Sequence, residues 1–194
     1  MTELRRRLVH ASGAVIPTSY LAGVLDWTGV RALLGLGLAV AAVLEFVRLT
    51  VGLDWWVYDQ LTREYESDNV AGYALYFLSS AAVALAFPPH VAVPGLLMLA
   101  VGDPISGLLA SRGVEEGKSP PVLAAMFGVC FALALPTLLP AAGTPLALAA
   151  AAAGALGATL ADGLKPVVAG YVVDDNLSIP PAACVLIRAV LWLG

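Results

Sequence analysis

Charge, cysteine and long polar stretches are all scarce in this chain. Only 12% of its 194 residues are Asp, Glu, Lys or Arg, too few to cover a soluble globule of this size. What charge there is runs slightly acidic, to a net −4, which excludes the basic face a nucleic-acid partner requires. The two cysteines, Cys130 and Cys184, lie far apart in apolar segments with no Cys-x-x-Cys spacing. Small buried apolar roles are therefore expected of them, rather than a disulfide or a thiolate metal site. A secretory leader is a poor fit. Arg5-Arg6-Arg7 resembles a charged n-region, but Tyr20, Asp26 and Trp27 follow the first apolar run without a small-residue cleavage site. No internal repeat is evident either, which argues against an inverted-repeat transporter.

What is present in abundance is apolar sequence. Sixty per cent of the residues are hydrophobic and the mean hydropathy is +0.87, which predicts an all-α polytopic bundle forming one integral membrane domain over residues 1–194. Seven apolar segments can be drawn, over about 10–25, 30–53, 70–87, 91–111, 120–140, 144–161 and 179–193. Pro17 makes the first one tilted or partly interfacial. The sixth is almost entirely Ala, Gly and Leu; such small residues let helix backbones approach closely, so it is expected inside the bundle.

The links between segments differ in polarity. Those after segments one, three and five carry only Asp26 and Arg31, whereas the N-terminus and the other links carry Arg5, Arg6, Arg7, Arg63, Arg112, Lys118 and Lys165. The positive-inside rule then predicts a cytoplasmic N-terminus and an outer C-terminus. Nearly all the acids share that cytoplasmic side, so polar chemistry is expected on one membrane face. His10 and His90 fall on opposite sides in this topology and are not expected to share a metal.

Asp103 is the only acid of the long apolar run Val91–Ala110. A carboxylate at bilayer depth costs about 2.5–3.5 kcal/mol even on lenient insertion scales, so it persists mainly where it is used. Gly102 and Pro104 disturb the helix around it, and irregular backbone at that depth belongs beside protein or a cavity. The bland alternative is a kink with a capping carboxylate; the functional one is a ligand for a hard divalent cation.

Four further groups carry polar chemistry. Glu45 and Arg48, spaced i, i+3, share a helix face and are either an interfacial ion pair or part of a polar pocket. Gly117-Lys118-Ser119 echoes the end of a phosphate loop. However, Gly113 is only four residues before Gly117 and the preceding segment is a membrane helix, so the full pattern is rejected. A solvated loop and a phosphate-binding Lys remain open there. Asp162-Gly-Leu-Lys165-Pro and Asp174-Asp175-Asn176 frame the last cytoplasmic link. The latter acids either cap the final helix or converge with Asp103 on a metal-nucleotide.

Taken in order along the chain, these elements resemble the CTP-dependent polyisoprenol kinases, the family of dolichol kinase and phytol kinase. Arg6-Arg7-Leu-Val-His10-Ala-Ser-Gly13 resembles the family's opening basic–His–Gly pattern, and Glu45-Phe-Val-Arg48 its Glu-x-x-Arg helix. Gly102-Asp103 stands for its intramembrane Gly-Asp, and Lys118-Ser119 for its Lys-Ser/Thr element. Asp175-Asn176-Leu-Ser-Ile-Pro180 is similar to its Asp-Asn-x-x-x-Pro ending. One departure is visible: where the family carries Glu-Gly, Ser119 is followed by Pro120-Pro121-Val122, leaving Glu115 or Glu116 as replacements.

The resemblance implies a lipid kinase that moves the γ-phosphate of CTP to an isoprenoid alcohol at the cytosolic membrane face. It implies catalytic roles for Asp103, Lys118 and Asp175, with Asp103, Asp162 and Asp175 holding Mg²⁺. Glu45, Arg48, Gly102, Lys118, Ser119, Lys165 and Asn176 would bind the nucleotide. Expected partners are CTP, the alcohol and membrane lipid, with homo-oligomerisation left open. Two alternatives stay open: a cytidylyltransferase making a CDP-activated lipid, and a non-catalytic membrane protein or transporter.

Overall fold

The computed structural model of the chain describes residues 3–53, 55–62, 66, 69–110, 118–164, 167–168 and 171–194. It is helical almost throughout. In order come α1 (Glu3–Ser12), α2 (Val15–Leu21), α3 (Trp27–Phe46, continued by a π-helical turn Val47–Val51), α4 (Trp56–Leu61) and α5 (Gly72–Ala86). Next are α6 (Pro89–Leu97), a π-helical turn (Met98–Gly102), α7 (Asp103–Leu109), α8 (Pro120–Ala142), α9 (Thr144–Gly163) and α10 (Asp175–Leu193). Between α9 and α10 lies a short antiparallel ladder that pairs Val167 with Val172 and Val168 with Tyr171.

Among the described residues, five helical stretches are long and apolar enough to cross a membrane: Trp27–Val51, Pro89–Leu109, Pro120–Ala142, Thr144–Gly163 and Asp175–Leu193. The expectation of seven segments is therefore met only in part. The segment at 70–87 forms α5, a shorter helix of 15 residues. The segment at 10–25 does not run as one helix, and the reason is local. Pro17 has no N–H to give the carbonyl of Gly13, which instead takes the Ile16 amide at 3.2 Å, closing a tighter turn.

Prolines shape the rest of the bundle in the same way. A proline orphans the carbonyl four residues before it, and a buried orphan is costly unless another group serves it. Pro88 orphans Ala84, and Arg31 Nε of α3 donates to that carbonyl at 2.8 Å. Pro180 orphans Asn176, and Ser79 Oγ of α5 donates to it at 2.5 Å. Each such bond ties two helices together.

The small-residue sixth segment buries its alanine face inside the bundle, while Leu148, Leu156 and Leu160 on its other side are exposed. On α9, Ala147, Ala150, Ala151, Ala155 and Ala158 have no exposed surface. The helix packs against both α8 and α10. The approach to α10 is close enough that a Cβ on Gly157 would lie 2.8 Å from the carbonyl oxygen of Ala182. Both cysteines are free and buried. By contrast, Leu36, Val40, Val43 and Phe46 on α3 are each more than half exposed, the kind of apolar face a bilayer would cover.

Candidate functional site

Two helix ends and one π-turn meet in the bundle. Asp103 opens α7, Asp162 stands at the end of α9, and Asp175 opens α10. One carboxylate oxygen from each lies within 4.8 Å of the other two. Asp162 has no exposed surface and Asp175 only 4%. Asp175 sits in the first turn of α10, where the helix dipole favours negative charge, whereas Asp103 lies within the continuous stretch Pro89–Leu109. Asp162, at a helix C-terminus, has no such help and takes two side-chain donors instead. Lys118 Nζ is 2.5 Å from its Oδ1 and Ser106 Oγ donates to its Oδ2 at 2.6 Å. Lys118 also donates to Ser106 Oγ at 3.0 Å and stands 4.0 Å from Asp103 Oδ1.

The donor set suits a hard cation. Carboxylate oxygens around Mg²⁺ lie up to about 4.2 Å apart, and around Ca²⁺ up to about 5 Å, so the triad needs at most a small contraction to surround one. Charge points the same way. Three carboxylates gather around the Lys118 ammonium, which reaches Asp162 and Asp103, an oxygen-rich acidic setting of the kind a divalent ion takes. A second, independent feature also calls for a ligand. Asn176 is 6% exposed, and its Nδ2 is fixed on Asp174 Oδ1 at 2.6 Å, which turns Oδ1 the other way. That Oδ1 is buried and accepts no hydrogen bond among the described residues. A buried acceptor left unmet costs about 1–3 kcal/mol.

Asp103, Lys118, Asp175 and Asn176 line one cavity of about 1090 Å³. Arg6, Arg7, His10, Ser12, Glu66 and Tyr73 line it too; most of the rest of its lining is apolar, from α1–α2, α3 and α5. The backbone at Asp103 explains why His10 is there. Its amide bonds Met98, five residues back. In that π register the carbonyl of Leu99 would look to residue 104, a proline with no N–H. His10 Nε2 donates to the Leu99 oxygen at 3.0 Å, and the same nitrogen lies 3.8 Å from Asp103 Oδ2. The ring packs edge-on to Tyr76, centroids 5.0 Å apart. Arg7 Nη1 reaches the Pro104 carbonyl at 3.2 Å. Two side chains of α1 thus hold the N-terminal helix over the triad.

The remaining expected site residues are placed differently. Glu45 and Arg48 pair at 2.7 Å, and both are otherwise engaged by the segment before α5. Glu45 accepts from the Ala71 amide at 3.0 Å and from Tyr73 Oη at 2.5 Å; Arg48 donates to the carbonyls of Glu66 and Asn69. Neither is among the cavity-lining residues, although Tyr73 and Glu66 are. Gly102 faces α8, where a Cβ would come 3.0 Å from Cys130 Sγ; it serves helix packing. Ser119 is exposed at the N-cap of α8. Lys165, Glu115 and Glu116 lie outside the described residues.

His10, Arg7, Ser106 and Tyr76 are site residues that spacing alone did not single out. His10 and Arg7 fall within the basic–His–Gly resemblance, and Pro104 creates the orphan carbonyl, but neither says that His10 fills it. Comparison with protein-family models, with curated proteins and with solved structures finds no match for this chain.

Proposed function

We propose that the protein is a membrane-embedded lipid kinase that transfers the γ-phosphate of CTP to the hydroxyl of a long-chain isoprenoid alcohol at the cytosolic face. One observation carries this reading: Asp103, Asp175 and Lys118 line a cavity that is also walled by the apolar stripe of α3, with Asp162 buried against Lys118 behind them. A water-soluble phosphate donor fits the charged residues, and a lipid alcohol fits the apolar stripe. The resemblance to the polyisoprenol kinases supplies CTP and the class of alcohol.

Phosphoryl transfer asks a protein mainly for positioning and charge neutralisation. Asp162 and Asp175, the two most buried acids, would hold Mg²⁺ together with one oxygen of Asp103. When bound, that ion supplies neutralisation of the triphosphate oxygens. Lys118 offsets the remaining acid charge and reaches toward the phosphates, with Arg7 beside it and Lys165 as a further candidate. The unmet Oδ1 of Asn176 accepts an N–H or O–H of the nucleotide and orients it. Asp103, the most accessible of the three acids, takes the alcohol proton through its other oxygen. The alcohol oxygen bonds to the γ-phosphorus as the bond to the β,γ-bridging oxygen breaks, so the products are a lipid monophosphate and CDP. Glu45 and Arg48 contribute by fixing the segment that carries Glu66 and Tyr73 to the cavity wall.

Product analysis tests this reading. Purified protein in lipid nanodiscs, given Mg²⁺, CTP and geranylgeraniol, dolichol or phytol in turn, should release CDP and form the lipid monophosphate. Release of diphosphate with a cytidylylated lipid would replace it with the cytidylyltransferase. No nucleotide turnover, with solute movement in liposomes, would replace it with a transporter.

A further inference from the structure

The apolar arm of the cavity is built by one face of α3. Leu33, Leu36, Gly37, Val40, Ala41 and Leu44 line it, a spacing of three and four residues that keeps them on one stripe. Gly13 and Ile16 of the N-terminal helices line the facing side, and Tyr76 and Phe77 of α5 form the floor. The walls meet that floor closely. A Cβ on Gly13 would lie 2.0 Å from Tyr76 Oη, and one on Gly37 would lie 2.2 Å from the Phe77 ring. Tyr76 packs on the His10 ring, centroids 5.0 Å apart, and His10 lies 3.8 Å from Asp103, so this arm is continuous with the acid triad.

The arm is also open along one side. Leu36 is 62% and Val40 51% exposed, on the face of α3 a bilayer would cover. From Leu33 to Leu44 the helix rises about 16 Å. That is far shorter than a long polyisoprenoid, whose excess length has an exit at the exposed side of α3 past Leu36 and Val40.

We propose that this α3 groove is the acceptor's chain-binding site: it holds the hydroxyl-proximal first few isoprene units of a lipid alcohol against Tyr76 and Phe77 and lets the rest of the chain leave sideways into the bilayer past Leu36 and Val40. The inference rests on the kinase reading and adds a specificity rule to it. The alcohol must be long enough to fill the groove, and length beyond that is not read. Catalytic efficiency should therefore climb from geraniol through farnesol to geranylgeraniol, then stay level to dolichol.

The test uses the full chain in nanodiscs and two independent readouts. In the first, a geranylgeraniol bearing a diazirine at its first isoprene unit is photolysed without nucleotide, and the labelled residues are mapped. Label should fall on the Leu33–Leu44 stripe or on Tyr76 and Phe77. It should be competed by geranylgeraniol and not by a diacylglycerol. Leu36→Trp and Val40→Trp, both at exposed positions the fold can accommodate, should each lower that labelling roughly tenfold, the equivalent of about 1.4 kcal/mol. Leu85→Trp, 68% exposed on α5 and outside the cavity, should not. The second readout is phosphorylation across the alcohol series, where the two groove variants should lose the long alcohols most. Label spread over the lipid-facing surface without competition, label competed equally by diacylglycerol, or label on α8 and α9 would overturn the proposal. Correct labelling without phosphorylation by any nucleotide would defeat the kinase reading and leave the groove standing. Phosphorylation with labelling elsewhere would defeat the groove alone.

Discussion

His10 Nε2 donates a hydrogen bond to the carbonyl of Leu99 at 3.0 Å, and it does so because the residue whose amide would serve that carbonyl in the local π register is Pro104. The contact joins α1 to the helix that presents Asp103, across 89 residues of sequence. Histidine here is a structural donor, and the same nitrogen lies 3.8 Å from Asp103.

Removing that donor should leave a buried carbonyl unmet. His10→Ala is expected to destabilise the protein by about 1–3 kcal/mol, read as a lower thermal midpoint in detergent. Pro104→Ala restores an N–H at the position Leu99 lacks one. The double variant should then lose less than the sum of the single changes, since the two act on one carbonyl. Strict additivity would show that His10 and Pro104 are not coupled through Leu99.

Lys118 should reveal the cation site through stability alone. Its ammonium, 2.5 Å from Asp162 and 4.0 Å from Asp103, is a counter-charge to the clustered acids. Lys118→Met should destabilise the apo protein, and added Mg²⁺ or Mn²⁺ should recover more stability in the variant than in the wild type. A cation at a hundredfold excess over its Kd contributes about 2.7 kcal/mol. Thermal melts at graded cation concentration measure this, and equal shifts in both proteins would count against a cation at the triad.

Much of the helical frame was legible in the sequence, because hydropathy alone reports it. Segments two to six lie within a few residues of α3, α5, the α6–α7 helix, α8 and α9; segment seven begins four residues late, because Asp175 and Asn176 are polar. Asp103 stood out for the same reason, as a charge in an apolar run. The first segment was legible only in part: Pro17 marked it as irregular, but not that the chain would turn at Gly13 and Ala14 between two helices. The partnerships within the site were not legible. Lys118 finds Asp162 across 44 residues and Ser79 finds Asn176 across 97. Both choices are made by how helices pack, which no local pattern encodes. Asn176 could be singled out by its motif, but its unmet Oδ1 is a property of the folded site.

The α9–α10 contact holds Asp162 near Asp175, so widening it should be felt at the site. On Gly157 a Cβ would meet a backbone oxygen at 2.8 Å, and Gly157→Ala is expected to cost about 1–3 kcal/mol and to weaken cation binding. A Cβ on Gly35 of α3 would meet nothing within 4 Å, and Gly35→Ala should instead stabilise by about 0.5–1 kcal/mol. Thermal midpoints of the two variants check the contrast directly.

Glu45 and Arg48 are expected to matter for stability more than for nucleotide affinity. Breaking a buried pair from one side costs about 3–5 kcal/mol, so Glu45→Gln should lower the thermal midpoint sharply. The double change Glu45→Gln with Arg48→Met should cost less than the two separate losses combined. In the folded fraction the KM for CTP should stay near that of the wild type. A KM raised out of proportion to the loss of stability would assign the pair to the nucleotide directly.

The most direct measurement is transfer of radiolabelled γ-phosphate from CTP to geranylgeraniol by the wild type and by Asp103→Asn, Asp162→Asn and Asp175→Asn, each confirmed folded by its thermal transition. Each replacement removes a charge that a hard cation needs and should lower turnover by orders of magnitude. The Asp103 and Asp175 double variant should be little worse than either single one, as expected of residues acting as a unit. Full transfer activity in folded Asp103→Asn would contradict the account.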